Sequence, residues 1–312
     1  MSRSIAAVGA GTATIRDTRF TIQGSWLKTA RLADEWHEDV DDPETLIRDL
    51  KASSAADLFS FWQRLPDTEP RFSYHREVDS IAVLPVTTYE HWLKHQINNK
   101  TRNLVTKAAK KGVLLKPATF DDAFVRGITA IFNETPVRQG MPFWHYGKDV
   151  ETIRREFSTF LFREDLFGAY VDDELVGFIF LAHGGRYEML GQILSMVKHR
   201  DKALNNALIA KAVEVCAERK IPYLVYAVWP RGPLKEFKRH NGFDRVDLPR
   251  YYVPLTMKGQ LALKLGLHRN PLERLPDPAF LYLRDLRTKF YAWKHTVLRL
   301  AMQKRLDGRT PR

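Results

Sequence analysis

The chain has 312 residues, a net charge of +12 and a pI of about 9.7, with 44% hydrophobic and 28% charged residues. The length suits roughly two domains with a core of ordinary size, and the composition excludes a fibrous or disordered chain. The basic balance points to anionic partners: nucleic acid, nucleotide sugars or acidic lipid.

In chain order, the N-terminal "MSRSIAAVGAGTATIRD" lacks the apolar core of roughly 7–15 residues that a signal peptide needs. Gly9 and Gly11 hint at a dinucleotide fingerprint, but Thr14 stands where glycine is required, so that reading is rejected. "DDPETLIRDLKASSAADLFSFWQRLP" predicts a helix opened by Asp42-Pro43, a Ser-Ser break, and a second short helix ending before Pro66. "SIAVLPV" (Ser80–Val86) predicts a strand. A long helix is expected from Thr88 to Gly112, with Leu93, Ile97, Leu104 and Ala108 on one face. Lys100, Lys107 and Lys111 line its other face. His91 and His95 stand one turn apart on it with no third ligand at a suitable spacing, so no metal is expected there.

Beyond Val113 the pattern reads β-α-α-β-β-β-α-β-α-β, which argues for an α+β mixed sheet flanked by helices. The loop "PVRQGMPFWHYG" lies between the first two of these helices. The longest apolar run, Leu175 to Ala182, is far too short for a span of ~20 residues, so no transmembrane segment is expected. Cys216 is the single cysteine, which fits a cytoplasmic protein, and it reads as a packed thiol. The tail is strongly basic, with 13 Lys and Arg against 4 Asp and Glu from Lys258 to Arg312. Within it Leu283, Leu286, Phe290, Trp293, Val297 and Leu300 form one apolar helical seam among Arg284, Arg287, Lys294, Arg299, Lys304 and Arg305. That seam is read first as a docked helix. The second reading is an interfacial helix over residues 280–305, peripheral to the inner membrane face.

The hairpin "LFGAYVDDELVGFIFLA" and the turn "FKRHNGF" (Phe237–Phe243) resemble the GNAT acyltransferase fold. "KTRNLVTKAAKKGV" (Lys100–Val113) is similar to the linking helix of the Fem aminoacyltransferases, which use aminoacyl-tRNA to build peptidoglycan cross-bridges. The resemblance covers roughly Ser80–Leu255. It implies a degenerate GNAT-like N-terminal part (1–79), a GNAT-like acyltransferase domain (80–256) and a basic extension (257–312) with an amphipathic helix.

It also implies site residues. GNAT enzymes bind the acyl-CoA pyrophosphate at a Gly-containing turn opening the helix after the central strand. Arg200, Ala203 and Asn205 match that turn here, with Asn206 beside them, and both glycines are replaced. Phe237 and Lys238 stand near the closing turn, where many GNAT enzymes place a tyrosine, and resemble a Fem pair whose lysine serves the aminoacyl end. Glu188 is the expected general base for the acceptor amine. Arg138, Gln139, Trp144, His145 and Tyr146, in the loop with Phe143, are expected at the acceptor. Lys100, Arg102, Lys107 and Lys111 are candidate phosphate contacts.

The expected activity moves an acyl or aminoacyl group onto an amine; the resemblance implies aminoacyl-tRNA as donor and an anionic cell-envelope precursor, nucleotide-sugar or lipid-linked, as acceptor. The alternatives are an acyl-CoA-dependent N-acetyltransferase and a non-catalytic basic module that binds RNA or a membrane surface.

Overall fold

The computed structural model describes residues 11–138, 141–158, 161 and 164–269, with scattered positions between 276 and 289. Most of the expected tail helix, and Gln139, lie outside the described residues. No helix among the described residues is long and apolar enough to cross a membrane.

The chain begins with an antiparallel meander of β1 (Gly11–Ile15), β2 (Thr18–Gln23) and β3 (Thr29–Leu32). A loop leads to α1 (Pro43–Ser53), where Asp42 accepts the Thr45 N–H at 3.2 Å and Pro43 opens the first turn. Next comes β4 (Leu58–Trp62), which corrects the expected second helix. All five residues of "LFSFW" are buried, and a short run buried on both faces suits a strand between two others. The long β5 (His75–Pro85) follows, so the expected boundary at 79/80 falls inside a strand.

The single helix expected over Thr88–Gly112 is two. α2 (Tyr89–His91) runs into a π-helical turn, Trp92–Gln96, and Ile97 is extended. Asn98 then caps α3 (Asn99–Lys110) by accepting the Thr101 N–H at 2.9 Å. Asn98 is thus a helix start embedded in an unbroken amphipathic pattern.

β6 (Leu114–Pro117) and α4 (Asp122–Asn133) precede a small hairpin, β7 (Val137–Arg138) with β8 (Met141–Pro142), inside the expected loop. Then come α5 (Val150–Phe157), β9 (Glu164–Val171), β10 (Glu174–His183) and β11 (Glu188–Ser195). A 3-10 turn, Val197–Lys202, leads into α6 (Leu204–Glu218). The chain continues through β12 (Tyr223–Val228), α7 (Pro233–His240), β13 (Asp244–Pro254) and α8 (Met257–Lys264).

β1–β6 and β9–β13 form one sheet, ordered β1-β2-β3-β4-β13-β5-β12-β11-β10-β9-β6. The order has an internal symmetry. Each half is an antiparallel meander, a helix and a parallel strand: β1-β2-β3, α1, β4 and β9-β10-β11, α6, β12. Each half then gives its next strand away. β5 pairs with β12, and β13 pairs with β4, while β5 and β13 pair with each other at the centre. This sheet with its flanking helices is the expected α+β architecture.

The larger core lies in the second half. Phe178 and Phe180 of β10 meet Phe124 and Phe132 of α4 and Phe157 of α5 on one face. Gly177 faces Leu208 of α6 on the other, where an added Cβ would lie 3.5 Å from its Cδ1. Each buried phenylalanine contributes about 1.5–3 kcal/mol. The first half has its own smaller core around Phe20, Leu50, Phe59, Phe61 and Tyr251.

Candidate functional site

β11 and β12 run parallel but pair only at Glu188–Leu224 and Met189–Val225. Beyond that point the two strands no longer pair, and the chemistry-bearing residues gather around the gap.

On the β11 side lies the turn before α6. Ala203 occupies the left-handed region at φ +56°, so alanine stands in a conformation that favours glycine. The position matched to the family's first glycine thus keeps the glycine backbone without the residue. α6 has no side-chain cap, unlike α1, α3, α4, α5 and α8. Arg200 is exposed at the turn and close enough to Arg138 to disfavour its charge. Lys111 donates to Asp201 at 2.6 Å, and Lys111, Lys202 and Lys107 hold the Asp201 carboxyl below its ordinary range. The fold therefore brings part of the α3 basic face to this turn. Arg102 is used otherwise, since its guanidinium donates to the Leu93 and Lys94 carbonyls and closes the preceding helical segment. Lys100 is exposed.

One carboxylate already occupies the start of the turn. Glu134 accepts the backbone N–H groups of Val197 at 2.6 Å and Lys198 at 2.8 Å. Arg138 holds Glu134 there and also donates to the Ser195 and Ile131 carbonyls. Arg138 is a brace between α4 and the end of β11. Asn205 Oδ1 is buried without a hydrogen-bond partner. Asn206 donates to Asn241 Oδ1 at 3.0 Å, and Asn241 donates to the Phe237 carbonyl at 2.8 Å. This chain fastens the start of α6 to the end of α7.

On the β12 side lies Lys238, only 2% exposed. A bulge between Val225 and Val228, with Ala227 at φ +50°, turns the strand out of register with β5. Lys238 Nζ donates to the Val228 carbonyl at 2.9 Å and to the Tyr226 carbonyl, and it lies 4.2 Å from the Tyr226 ring centre. Burial pulls its pKa down to about 7. Gly242, at φ +89°, ends α7, where a side chain would crowd Leu84, the Gln96 carbonyl and Trp92. Phe237 packs against the main core beside it.

From Val228 the backbone enters a cleft of about 1120 Å³ that spans both halves. Its walls include Trp36, Trp62, Trp229 and Tyr252, with Arg31, Arg231, Lys235 and Arg245 as cations. Arg250 crosses its floor, 6% exposed, bonded to Glu35 at 3.0 Å and to Asp79. Burial works against the Arg250 charge, but the two carboxylates outweigh it and raise its pKa. The residues of this cleft were not singled out in the sequence, because strand exchange brings them together from distant segments. One local signal exists in "VWPRGP" (Val228–Pro233), an aromatic and a cation in a Pro-Gly loop directly after a strand.

Two expectations need correction. Glu188 is fully buried at the paired end of β11, bonded to His183 and to Arg219 at 3.2 Å each. Burial raises its pKa despite those hydrogen bonds. Glu188 pairs with Leu224 at the closed end of the gap, whereas Lys238 bonds the Tyr226 and Val228 carbonyls further along β12. The structure does not bring Glu188 to Lys238. His145 is 1% exposed and stacks on Phe132 at 4.2 Å, so it is a core residue rather than an acceptor contact. Trp144 and Tyr146 are exposed, and Trp144 carries Lys148 over its ring at 3.9 Å.

No protein-family model matches the sequence, and no curated protein matches it. Solved structures do match. The crystal structure of FemX is 10% identical, with a TM-score of 0.57 over 82% of this chain and 90% of that one. The C-terminal domain of a putative lysylphosphatidylglycerol synthetase from Agrobacterium fabrum is 11% identical, with a TM-score of 0.53 over 82% of this chain and 87% of that one. L-PGS from Bacillus licheniformis is 11% identical, with a TM-score of 0.51 over 83% of this chain and 90% of that one. The exchanged sheet, the turn before α6 and these likenesses together identify the fold of this chain as GNAT-like, of the Fem type.

Proposed function

We propose that this protein is an acyl- or aminoacyltransferase. Its donor sits at the gap between β11 and β12, and its acceptor amine reaches that gap from the cleft between the halves. The observation that carries this reading is Lys238, buried against the Tyr226 and Val228 carbonyls where the backbone enters the cleft. A lysine ammonium has three donors, and two are used on these carbonyls. The third serves an incoming oxygen.

In the proposed reaction the acceptor nitrogen attacks the donor carbonyl. The amide C–N bond forms, the ester C–O bond breaks, and the amine proton ends on the leaving oxygen. The Lys238 ammonium stabilises the oxyanion or protonates the leaving oxygen. Its depressed pKa suits proton transfer near neutrality.

Aminoacyl-tRNA is favoured over acyl-CoA as donor. Glu134 already takes two of the N–H groups at the start of the turn and sets a negative charge there, which opposes a pyrophosphate. The aromatic and cationic cleft walls suit an anionic acceptor bearing an amine, such as a lipid-linked or nucleotide-sugar envelope precursor. One of the similar structures is a domain of a putative lysylphosphatidylglycerol synthetase, named for an anionic lipid product, although that lipid offers a hydroxyl rather than an amine. Contact with a membrane surface by the basic C-terminal extension is part of the same reading.

The test pairs wild type with Lys238→Met in an assay with charged tRNA and a candidate acceptor. Turnover should fall at least ~100-fold in the variant while its melting transition persists. Unchanged turnover removes Lys238 from the mechanism. In parallel, acetyl-CoA at about 100 times a plausible Kd would stabilise a CoA enzyme by ~2.7 kcal/mol. A saturable shift of that size would favour the acyl-CoA reading. Salt-sensitive RNA or vesicle binding with no turnover of any donor would favour a non-catalytic module.

A further inference from the structure

We propose that His75, Glu77 and His268 form a binding site for a divalent transition-metal ion of the zinc class. His75 and Glu77 stand two apart on β5, so their side chains share one face of the strand. His268 arrives from the segment after α8. One ligand atom from each residue lies within 4.8 Å of the others. His268 Nε2 is 2.7 Å and His75 Nε2 is 3.7 Å from Glu77 Oε1. These separations suit three donors around one ion at Zn–N and Zn–O lengths of about 2.0–2.2 Å.

Two imidazoles and one carboxylate form a known zinc ligand set with an open fourth position. His75 is 41% exposed and leaves that position to solvent. The His268 side chain is only 1% exposed, and its Nδ1 is buried without a hydrogen-bond partner. Arg269 Nε donates to the same Glu77 Oε1 at 2.5 Å and fixes the carboxylate beside the two imidazoles. The Tyr252 ring packs 4.7 Å from the His268 ring and 6.4 Å from the His75 ring. Tyr252 also lines the cleft. A bound ion would therefore staple the segment after α8 to the central strand at the cleft wall.

The test uses the full chain, stripped with a chelator and titrated with Co²⁺, whose visible ligand-field band reports imidazole and carboxylate coordination. One equivalent should bind, zinc should displace it, and the melting temperature should rise with metal. His75→Ala changes a half-exposed residue and should fold. It should weaken Co²⁺ binding by more than the roughly 10–100-fold that loss of an outer-shell partner costs. The His91→Ala/His95→Ala pair, whose rings lie 5.1 Å apart on the α2 segment, should leave the band unchanged. Absence of a band, or a band that survives His75→Ala, overturns the proposal. So does a band lost in the His91/His95 variant.

Discussion

The two halves put the same topological position to different uses. In each, a meander strand leads through a loop into a helix that crosses to a parallel strand. In the first half the loop after β3 carries Glu35, Trp36 and Asp39 across to the second. The Trp36 carbonyl accepts from Tyr187 and Arg64, Asp39 bonds Arg64 and Arg186, and Glu35 bonds Arg250. Its helix, α1, is closed by the Asp42 cap. In the second half the loop after β11 stays at the surface, and its helix α6 starts uncapped on a left-handed alanine. One loop forms a wall of the cleft, and the other leaves an uncapped helix start with a left-handed backbone.

That comparison can be broken most forcefully at Arg250. Arg250→Met strands Glu35 and Asp79, and it should lower stability by about 3–5 kcal/mol in denaturant unfolding. A loss under 1 kcal/mol would mean that the seam between the halves does not depend on this cluster. Next come the two helix cores. Leu50→Ala in α1 and Leu208→Ala in α6 remove fully buried side chains, at about 2–5 kcal/mol each. Strand exchange predicts that both shift a single shared transition. Two separate transitions, each sensitive to one variant, would show halves that unfold independently.

A third test uses pH. Lys238 has a folded pKa of about 7, below its unfolded value of about 10.4. Between those values the unfolded chain binds the extra proton, so the lysine's contribution makes stability rise with pH from about 7 to about 10. Lys238→Met should flatten the urea-midpoint profile in that window. An unchanged slope would mean that the buried amine is not displaced from its ordinary value. The smallest effect is expected at the turn before α6. Ala203→Gly relieves a left-handed alanine and should stabilise by up to about 1 kcal/mol, partly offset by the glycine's greater freedom when unfolded.

Much of the second half was legible in the sequence, because its strands and helices have periodicities that local patterns reveal. The hairpin "LFGAYVDDELVGFIFLA" became β9 and β10, and a helix follows β11 as the pattern required. The α2–α3 break was hidden, since Ile97 and Asn98 keep the amphipathic pattern while leaving the helix. β4 was misread because "LFSFW" is buried on both faces and so shows no alternation. Lys238 was reached through a resemblance in the Phe-Lys pair. Its burial depends on the β12 bulge at Ala227, which no local pattern announces. Glu188 lies on β11 at its paired end, bonded to His183 and Arg219, a placement set by tertiary pairing that no local pattern shows. The cleft could not be read at all, since Trp36, Trp62, Asp79, Trp229 and Arg250 meet only after both exchanges.

The exchanged strands also govern how the protein is born. β4 emerges from the ribosome almost two hundred residues before its antiparallel neighbour β13. At elongation rates of ~5–20 residues per second, that edge waits on the order of ten seconds or more without its partner. β5 waits as well, for β12 and β13. A ribosome stalled or truncated anywhere before residue 244 would release a chain with open, apolar strand edges and no means of closing them. The arrangement makes the last strand a completeness check, so that only a chain translated through residue 254 can seal its own sheet.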